Sequence, residues 1–279
     1  MSILRRGSRG YQVERLQRLL LVAGFNPGAI DGVFGRATEA ALIGFQHSVQ
    51  LLPDAIYGPV TGAALEPGKL RLRVNALRSV DVDLVAEMFP FTRLDNIRRH
   101  LPAVIAALKE FRLIEKPLVL AALATIRAES ERFEPIDEEP SRYNTSPGGH
   151  LYDLYDHRRD LGNQGPPDGE RYHGRGFVQL TGRANYEDLD RTLGLDGTLV
   201  EQPELANDPL IASRCLAAFL AARREGIKRA VLEGDLARVR RLVNGGSHGL
   251  ERFLDAWQRG WKALPDPVWP GEQARVRAA

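Results

Sequence analysis

The sequence predicts a mainly α-helical protein in two units, a small three-helix domain followed by a larger helical domain. Three observations predict it. Apolar residues recur at helical spacing through most of the chain. A short turn element is duplicated near the N-terminus. The segment P-L-V-L-A-A-L-A-T-I-R-A-E-S, from Pro117, is apolar on nearly every face until Arg127, which marks a helix buried inside its domain. A length of 279 residues also suits two domains better than one.

Composition narrows the function classes. Hydrophobic residues make up 43% and charged residues 27%, with a net charge of only +2. That balance gives no case for nucleic acid, and a mildly basic chain is compatible with an anionic polymer. One cysteine, Cys215, excludes an internal disulfide framework. It sits in the apolar run I-A-S-R-C-L-A-A-F-L and reads as a core residue, which disfavours a cysteine nucleophile. No run approaches 18 apolar residues, so no membrane insertion is expected. No signal-peptide core follows M-S-I-L-R-R-G, so synthesis in the cytoplasm with release by another route is expected.

Residues 1–68 form the first unit. Val13, Leu16, Leu19, Leu20 and Val22 give an amphipathic helix over 10–23, with Gly24 at its end. A second helix is expected over 37–49, with Ala41, Leu42 and Phe45 inward. D-G-V-F-G-R-A-T at 31–38 recurs as D-A-I-Y-G-P-V-T at 54–61. Thr38 and Thr61 can cap the following helix or reach back to the turn. Two copies are too few for a solenoid and fit one compact three-helix domain. L-R-R-G-S-R-G, V-x-x-L-Q, D-G-V-F-G-x-x-T and Phe45-Gln46 together resemble the peptidoglycan-binding domain of wall hydrolases. Ala55 stands where that family usually has Gly. A positive φ there costs about 1 kcal/mol or more, so a turn of different shape is expected.

Residues 69–80 read as a short, basic, fairly stiff linker, and the second domain spans 81–265 with a tail at 266–279. Helices are expected over 82–88, 94–111, 117–130, 183–193, 208–225, 235–243 and 249–262. The last turns Phe253, Trp257 and Trp261 inward. Between them, 131–176 is a long irregular tract rich in Pro, Gly, Asn, Asp and Tyr, and loops of that length are usually functional or disordered. Its histidines, His150, His157 and His173, form no metal-ligand spacing, so no metal or other cofactor is assigned.

The tract ends in Y-H-G-R-G-F-V-Q-L-T-G-R-A-N-Y at 172–186. Gly174 and Gly176 permit positive φ or close backbone approach. Gln179, Thr181, Asn185 and Tyr186 supply donors and acceptors for a neutral polar ligand such as a sugar chain. No phosphate-loop pattern is present. The stretch closely resembles the G-R-G-x-x-Q-L-T-G-x-x-N-Y signature of glycoside hydrolase family 19, in the branch that includes phage endolysins. The resemblance implies a lysozyme-like helical catalytic domain without cofactors. It also implies inverting hydrolysis of a β-1,4 bond in peptidoglycan, the expected partner, by a protein expected to be a monomer.

Two carboxylates carry that chemistry. Glu129 closes the buried helix, where burial and the helix C-terminus both favour its neutral form, as a general acid requires. Ala128-Glu129-Ser130 resembles the family's H-E-[ST], with Ala128 in place of His. For the water-activating base, Glu131, Glu134, Asp137, Glu138 and Glu139 crowd one segment. Glu138 is favoured and Glu139 second, because related endolysins have a carboxylate just before S-R-Y-N. By the resemblance Thr181 helps hold the water, and Gln179, Asn185 and Asn244 contact sugar. Tyr143, Tyr186 and Arg175 are further substrate-binding candidates, although Arg175 can instead fix the loop. Inversion requires carboxyls about 6.5–9.5 Å apart. The alternatives are a chitinase using the same machinery and a non-catalytic wall-binding protein.

Overall fold

The computed structural model describes residues 3–66, 75–244 and 249–264, without the side chain of Asn244. Thirteen α-helices, four 3-10 turns and one two-stranded ribbon are the regular elements among the described residues. None of those helices is long and apolar enough to cross a membrane.

The first unit holds α1 (Tyr11–Val22), α2 (Arg36–Ser48) and α3 (Pro59–Leu65). Val13, Leu16 and Leu20 of α1 meet Leu42 and Phe45 of α2, and Phe45 packs edge-on to Phe25 with ring centroids 5.8 Å apart. The duplicated turns each close on a buried glutamine. Gln17 Nε2 donates to Asp31 Oδ1, Val33 O and Thr38 Oγ1, while its Oε1 accepts from the Asp31 and Gly32 amides. Gln46 repeats the pattern with Asp54 Oδ1, Ile56 O, Thr61 Oγ1 and the Ala55 amide. Satisfying every polar atom of these buried amides fixes each turn against the core. Both threonines reach back to the turn, Thr38 to Val33 O and Thr61 to Ile56 O, and neither caps its helix.

The expectation of a differently shaped second turn is corrected. Ala55 takes φ 58°, beside 70° at Gly32, so the two turns match. The hydrogen bonds around Gln46 offset the cost of a left-handed alanine.

The second unit begins earlier than expected. Ala76–Ser79 forms a 3-10 turn, and Ala76, Leu77 and Val80 are buried in the larger core. The proposed linker therefore keeps at most its first part, since 75–80 is anchored by apolar burial and by the Ala76 amide on Ile114 O. Helices α4 (Val82–Met88), α5 (Leu94–Glu110) and α6 (Lys116–Glu129) follow. Every residue of α6 from Lys116 to Ala128 is buried, as its all-round apolar sequence requires.

The long tract is ordered by polar side chains and not by regular structure. Strand β1 (Ile136–Asp137) pairs antiparallel with β2 (Arg175–Gly176), and α7 (Asp168–Arg171) lies between them in sequence. Asn144, Asp156, Asn163 and Asp168 are all nearly inaccessible. Each bonds backbone, as in Asp156 Oδ1 accepting from the Gly169 amide at 2.9 Å and Asn163 Oδ1 from the Arg183 amide at 2.8 Å.

Then come α8 (Arg183–Leu193), α9 (Thr198–Glu201), α10 (Pro209–Ala222), α11 (Arg224–Glu233), α12 (Leu236–Asn244) and α13 (Leu250–Ala263). The single helix expected over 208–225 breaks at Arg223. The chain turns there so that Ile227, Ala230 and Val231 of α11 enter the core. α13 lies along α6 with Phe253 and Trp257 buried. At Gly260 an added Cβ would stand 2.6 Å from Leu120 Cδ2, so glycine is what permits the close approach. The two units touch where α1 meets α11. Arg18 Nη1 donates to Leu232 O at 3.4 Å, and Val22 is buried against the larger core.

Candidate active site

Glu129 ends α6 with its side chain only 7% exposed, and Arg240 Nη2 of α12 lies 2.8 Å from its Oε1. The guanidinium is fully buried. Ala128 is also accounted for. Gly249 abuts it so closely that a Cβ on the glycine would stand 3.2 Å from Ala128 Cβ. The carboxylate is oriented by the arginine of a distant helix instead of by a neighbouring histidine.

Glu138 follows β1 and is held by three donors. Tyr155 Oη reaches its Oε1 at 2.8 Å and Asn144 Nδ2 the same oxygen at 3.0 Å. The Gly174 amide faces its Oε2 at 3.3 Å. Its own amide donates to Gly174 O at 2.7 Å, and Tyr152 Oη donates to its carbonyl. Burial, and then the hydrogen bond to Glu138, push the Tyr155 phenol above its ordinary value, so it stays a donor at neutral pH. Glu139 is exposed, and its carbonyl accepts from Asn144. Glu131 lies 3.9 Å from Arg127 across one helical turn.

Gln179 stands at φ 50°, a strained setting for a non-glycine residue. Its Nε2 donates to Ile136 O and Gly176 O. A Cβ on Gly174 would lie 2.9 Å from Gln179 Oε1 and 3.1 Å from Glu138 Oε2. The amide and the carboxylate therefore share the gap that this glycine leaves. Thr181 Oγ1 donates to Gln179 O at 2.9 Å, and Asn185 Nδ2 to Thr181 O at 2.7 Å. Gln179, Thr181 and Asn185 line an open groove of about 330 Å³, whose far wall includes Leu242 and Val243 of α12. The helix that supplies Arg240 to Glu129 thus also walls the groove.

Two of the substrate-binding candidates are corrected. Tyr186 is fully buried, and its hydroxyl donates to His173 O and accepts from Arg175 Nη1. Arg175 is 8% exposed, braced on Arg171 O and paired with Asp137 at 3.0 Å. Both hold the loop from within and neither can meet a sugar. Tyr143 is 74% exposed, with the Arg142 guanidinium 4.9 Å from its ring centroid. Asn244 closes α12, and its side chain lies outside the described residues. His173 is a loop contact, stacked on Tyr152 at 4.1 Å and bonded to Asp137. Burial pushes the Cys215 thiol up to about 12, which keeps it protonated and unreactive at neutral pH.

Sequence reasoning missed Arg240, Tyr155 and Asn144. Leu236, Arg240 and Val243 stand at i, i+4 and i+7, which places the arginine on an apolar stripe, and that spacing is a readable signal. The tandem L-Y-D-L-Y-D at 151–156 is another. Tyr155 lies in a 3-10 turn that Tyr152 precedes at φ 61°, and both bond Glu138, one at its carboxylate and the other at its carbonyl.

Residues 9–65 match the peptidoglycan binding domain family. That match covers the unit built around Gln17 and Gln46. A 66-residue stretch is 38% identical to the N-acetylmuramoyl-L-alanine amidase CwlL of Bacillus licheniformis, over 23% of this chain and 18% of that protein. The chain thus matches less than a fifth of the length of that curated relative. Among solved structures, chitinase C from Streptomyces griseus HUT6037 aligns with a TM-score of 0.48 and 18% identity, over 74% of this chain and 85% of that one. A Burkholderia AP3 phage endolysin aligns with a TM-score of 0.22 and 18% identity, over 94% and 99%. Likenesses at this level bear no weight on what the second unit does.

Proposed function

We propose that the chain is a modular wall hydrolase. Its first unit holds peptidoglycan, and its second, a lysozyme-like helical domain, cleaves a β-1,4 glycosidic bond of that polymer. The juxtaposition through α12 supports this reading best. Arg240 holds Glu129, Leu242 and Val243 wall the groove beside Thr181, and Gln179 shares the Gly174 gap with Glu138.

In this mechanism Glu129 donates its proton to the glycosidic oxygen as the bond to the anomeric carbon breaks. A water steadied by Thr181 attacks that carbon from the opposite face and gives a proton to Glu138. The product has the inverted, α configuration, and a proton returns from Glu138 to Glu129 through solvent. Glu138 already accepts up to three hydrogen bonds, which fix its carboxylate as a base in a single orientation. The unit at 9–65 raises the local concentration of substrate by tethering.

The test pairs turbidity loss of a Gram-negative wall suspension with an assay on chitin oligomers. Lysis with weak chitin cleavage supports the proposal. Chitin cleavage without lysis would make it a chitinase, and binding without either would make it a non-catalytic wall-binding protein.

A further inference from the structure

Arg223 follows the last residue of α10. Among the described residues lining the groove that holds Thr181, it carries the single charge. The same groove adjoins a second one of about 260 Å³, and Leu180, Asn185, Phe219 and Arg223 line both. The second groove adds Asp188 and Arg191, which neutralise each other at 3.0 Å. Arg223 has no carboxylate within ion-pair distance among the described residues. Its guanidinium lies 3.4 Å from the centroid of the Phe219 ring, and its Nη1 donates to Phe219 O at 3.2 Å. Stacking and one hydrogen bond leave its remaining donors in a fixed fork. Burial pushes its basicity below the ordinary arginine value, a cost that an incoming anion would relieve.

A neutral polysaccharide gives this cation nothing to pair with, whereas a glycan bearing peptides with free carboxyl groups does. We propose that Arg223 is an anion subsite that takes a carboxylate of the stem peptide carried by the peptidoglycan strand. It would lie beside the Thr181 groove and select peptidoglycan over uncharged chitin. The inference rests on the glycan-binding reading of that groove. Planar, bidentate pairing with carboxylate is what guanidinium does best. A cation at a helix C-terminus is favourable in itself, but that role would be blind to which polymer lies in the groove.

The test uses the full-length protein and three substrates: sacculi free of teichoic acid, the same sacculi stripped of stem peptides with the exposed lactyl carboxyls capped as amides, and chitin hexamer. For Arg223→Gln, kcat/KM falls about tenfold or more on intact sacculi and stays within about twofold on the other two, the range for losing one charge-assisted hydrogen bond. Arg223→Lys restores part of the loss, and rising salt narrows the wild-type preference for intact sacculi. Equal losses on all three substrates, or no loss on intact sacculi, would overturn the inference. A second readout separates it from the proposed reaction. Peptide-bearing disaccharides and peptide-free disaccharides with an amidated lactyl group are titrated by NMR into Glu129→Gln protein, with and without Arg223→Gln. If the wild type cleaves none of the three substrates, the proposed reaction fails. The subsite then stands only if Arg223→Gln weakens binding of the peptide-bearing fragment alone.

Discussion

Replacing Glu129 by Gln has two consequences, which the structure separates. The carboxamide fills the same space but has no proton to give, so hydrolysis falls by about 10²–10⁴-fold, the usual contribution of general acid catalysis. The second consequence is invisible in the sequence, where the substitution looks neutral for folding. Glu129 pairs at 2.8 Å with Arg240, whose side chain is fully buried. Removing one partner of a buried pair costs about 3–5 kcal/mol when its acceptor is lost as well. Gln keeps that acceptor. The loss is then the difference between a charged and a neutral hydrogen bond, about 1–2 kcal/mol. For a unit of this size that lowers Tm by about 2–8 °C. Turbidity loss measures the first effect and calorimetry the second, with Glu129→Ala as the comparison that also loses the acceptor. Retention of more than about a tenth of the wild-type rate would remove Glu129 from the acid role. A Glu129→Ala protein as stable as Glu129→Gln would show that the Arg240 contact contributes nothing.

Tyr155→Phe removes one of the two donors on Glu138 Oε1 and leaves Asn144. It should lower kcat about two- to tenfold with KM little changed, the worth of one hydrogen bond, and an unchanged kcat denies the positioning role. Asp31 and Asp54 are both held below the ordinary aspartate value of 3.8, Asp31 chiefly by the Gln17 amide and Asp54 chiefly by the Ile56 N–H. A depressed folded value adds stability above the ordinary value and loses it as pH falls through the folded one. The melting temperature of the isolated first unit should therefore drop as pH falls below about 4, and Asp31→Asn with Asp54→Asn should flatten that slope. Residues 1–68 alone should sediment with purified peptidoglycan without lysing it. If they stay in the supernatant, the first unit does not serve as a wall anchor.

Much of the fold was legible because helical periodicity is local. The buried helix ending at Glu129 shows in its own fourteen residues, and so does the duplicated turn. The break at Arg223 was not legible, since the run passes from Ala222 into Arg223-Arg224-Glu225 with no Gly or Pro to mark a stop, and the turn is imposed by packing. The site divides in the same way. The two carboxylates and the polar run from Gln179 to Asn185 stand out in sequence, but their partners come from far away. Arg240 is 111 residues from Glu129, and Tyr155 is 17 from Glu138. The signature at 172–186 also mixes two kinds of polar residue. Thr181 and Asn185 face the groove, while Arg175 and Tyr186 satisfy one another inside the loop. Residue type cannot tell these apart, whereas burial can.

The central claim is that Glu129 and Glu138 act from opposite faces of a β-1,4 bond with a water between them. NMR of the freshly released reducing end, recorded before the anomers equilibrate, tests it most directly. An α anomer as first product is the predicted result, because a water entering opposite the leaving oxygen inverts the carbon. A β anomer would mean a covalent intermediate, and with it a protein nucleophile in place of the water.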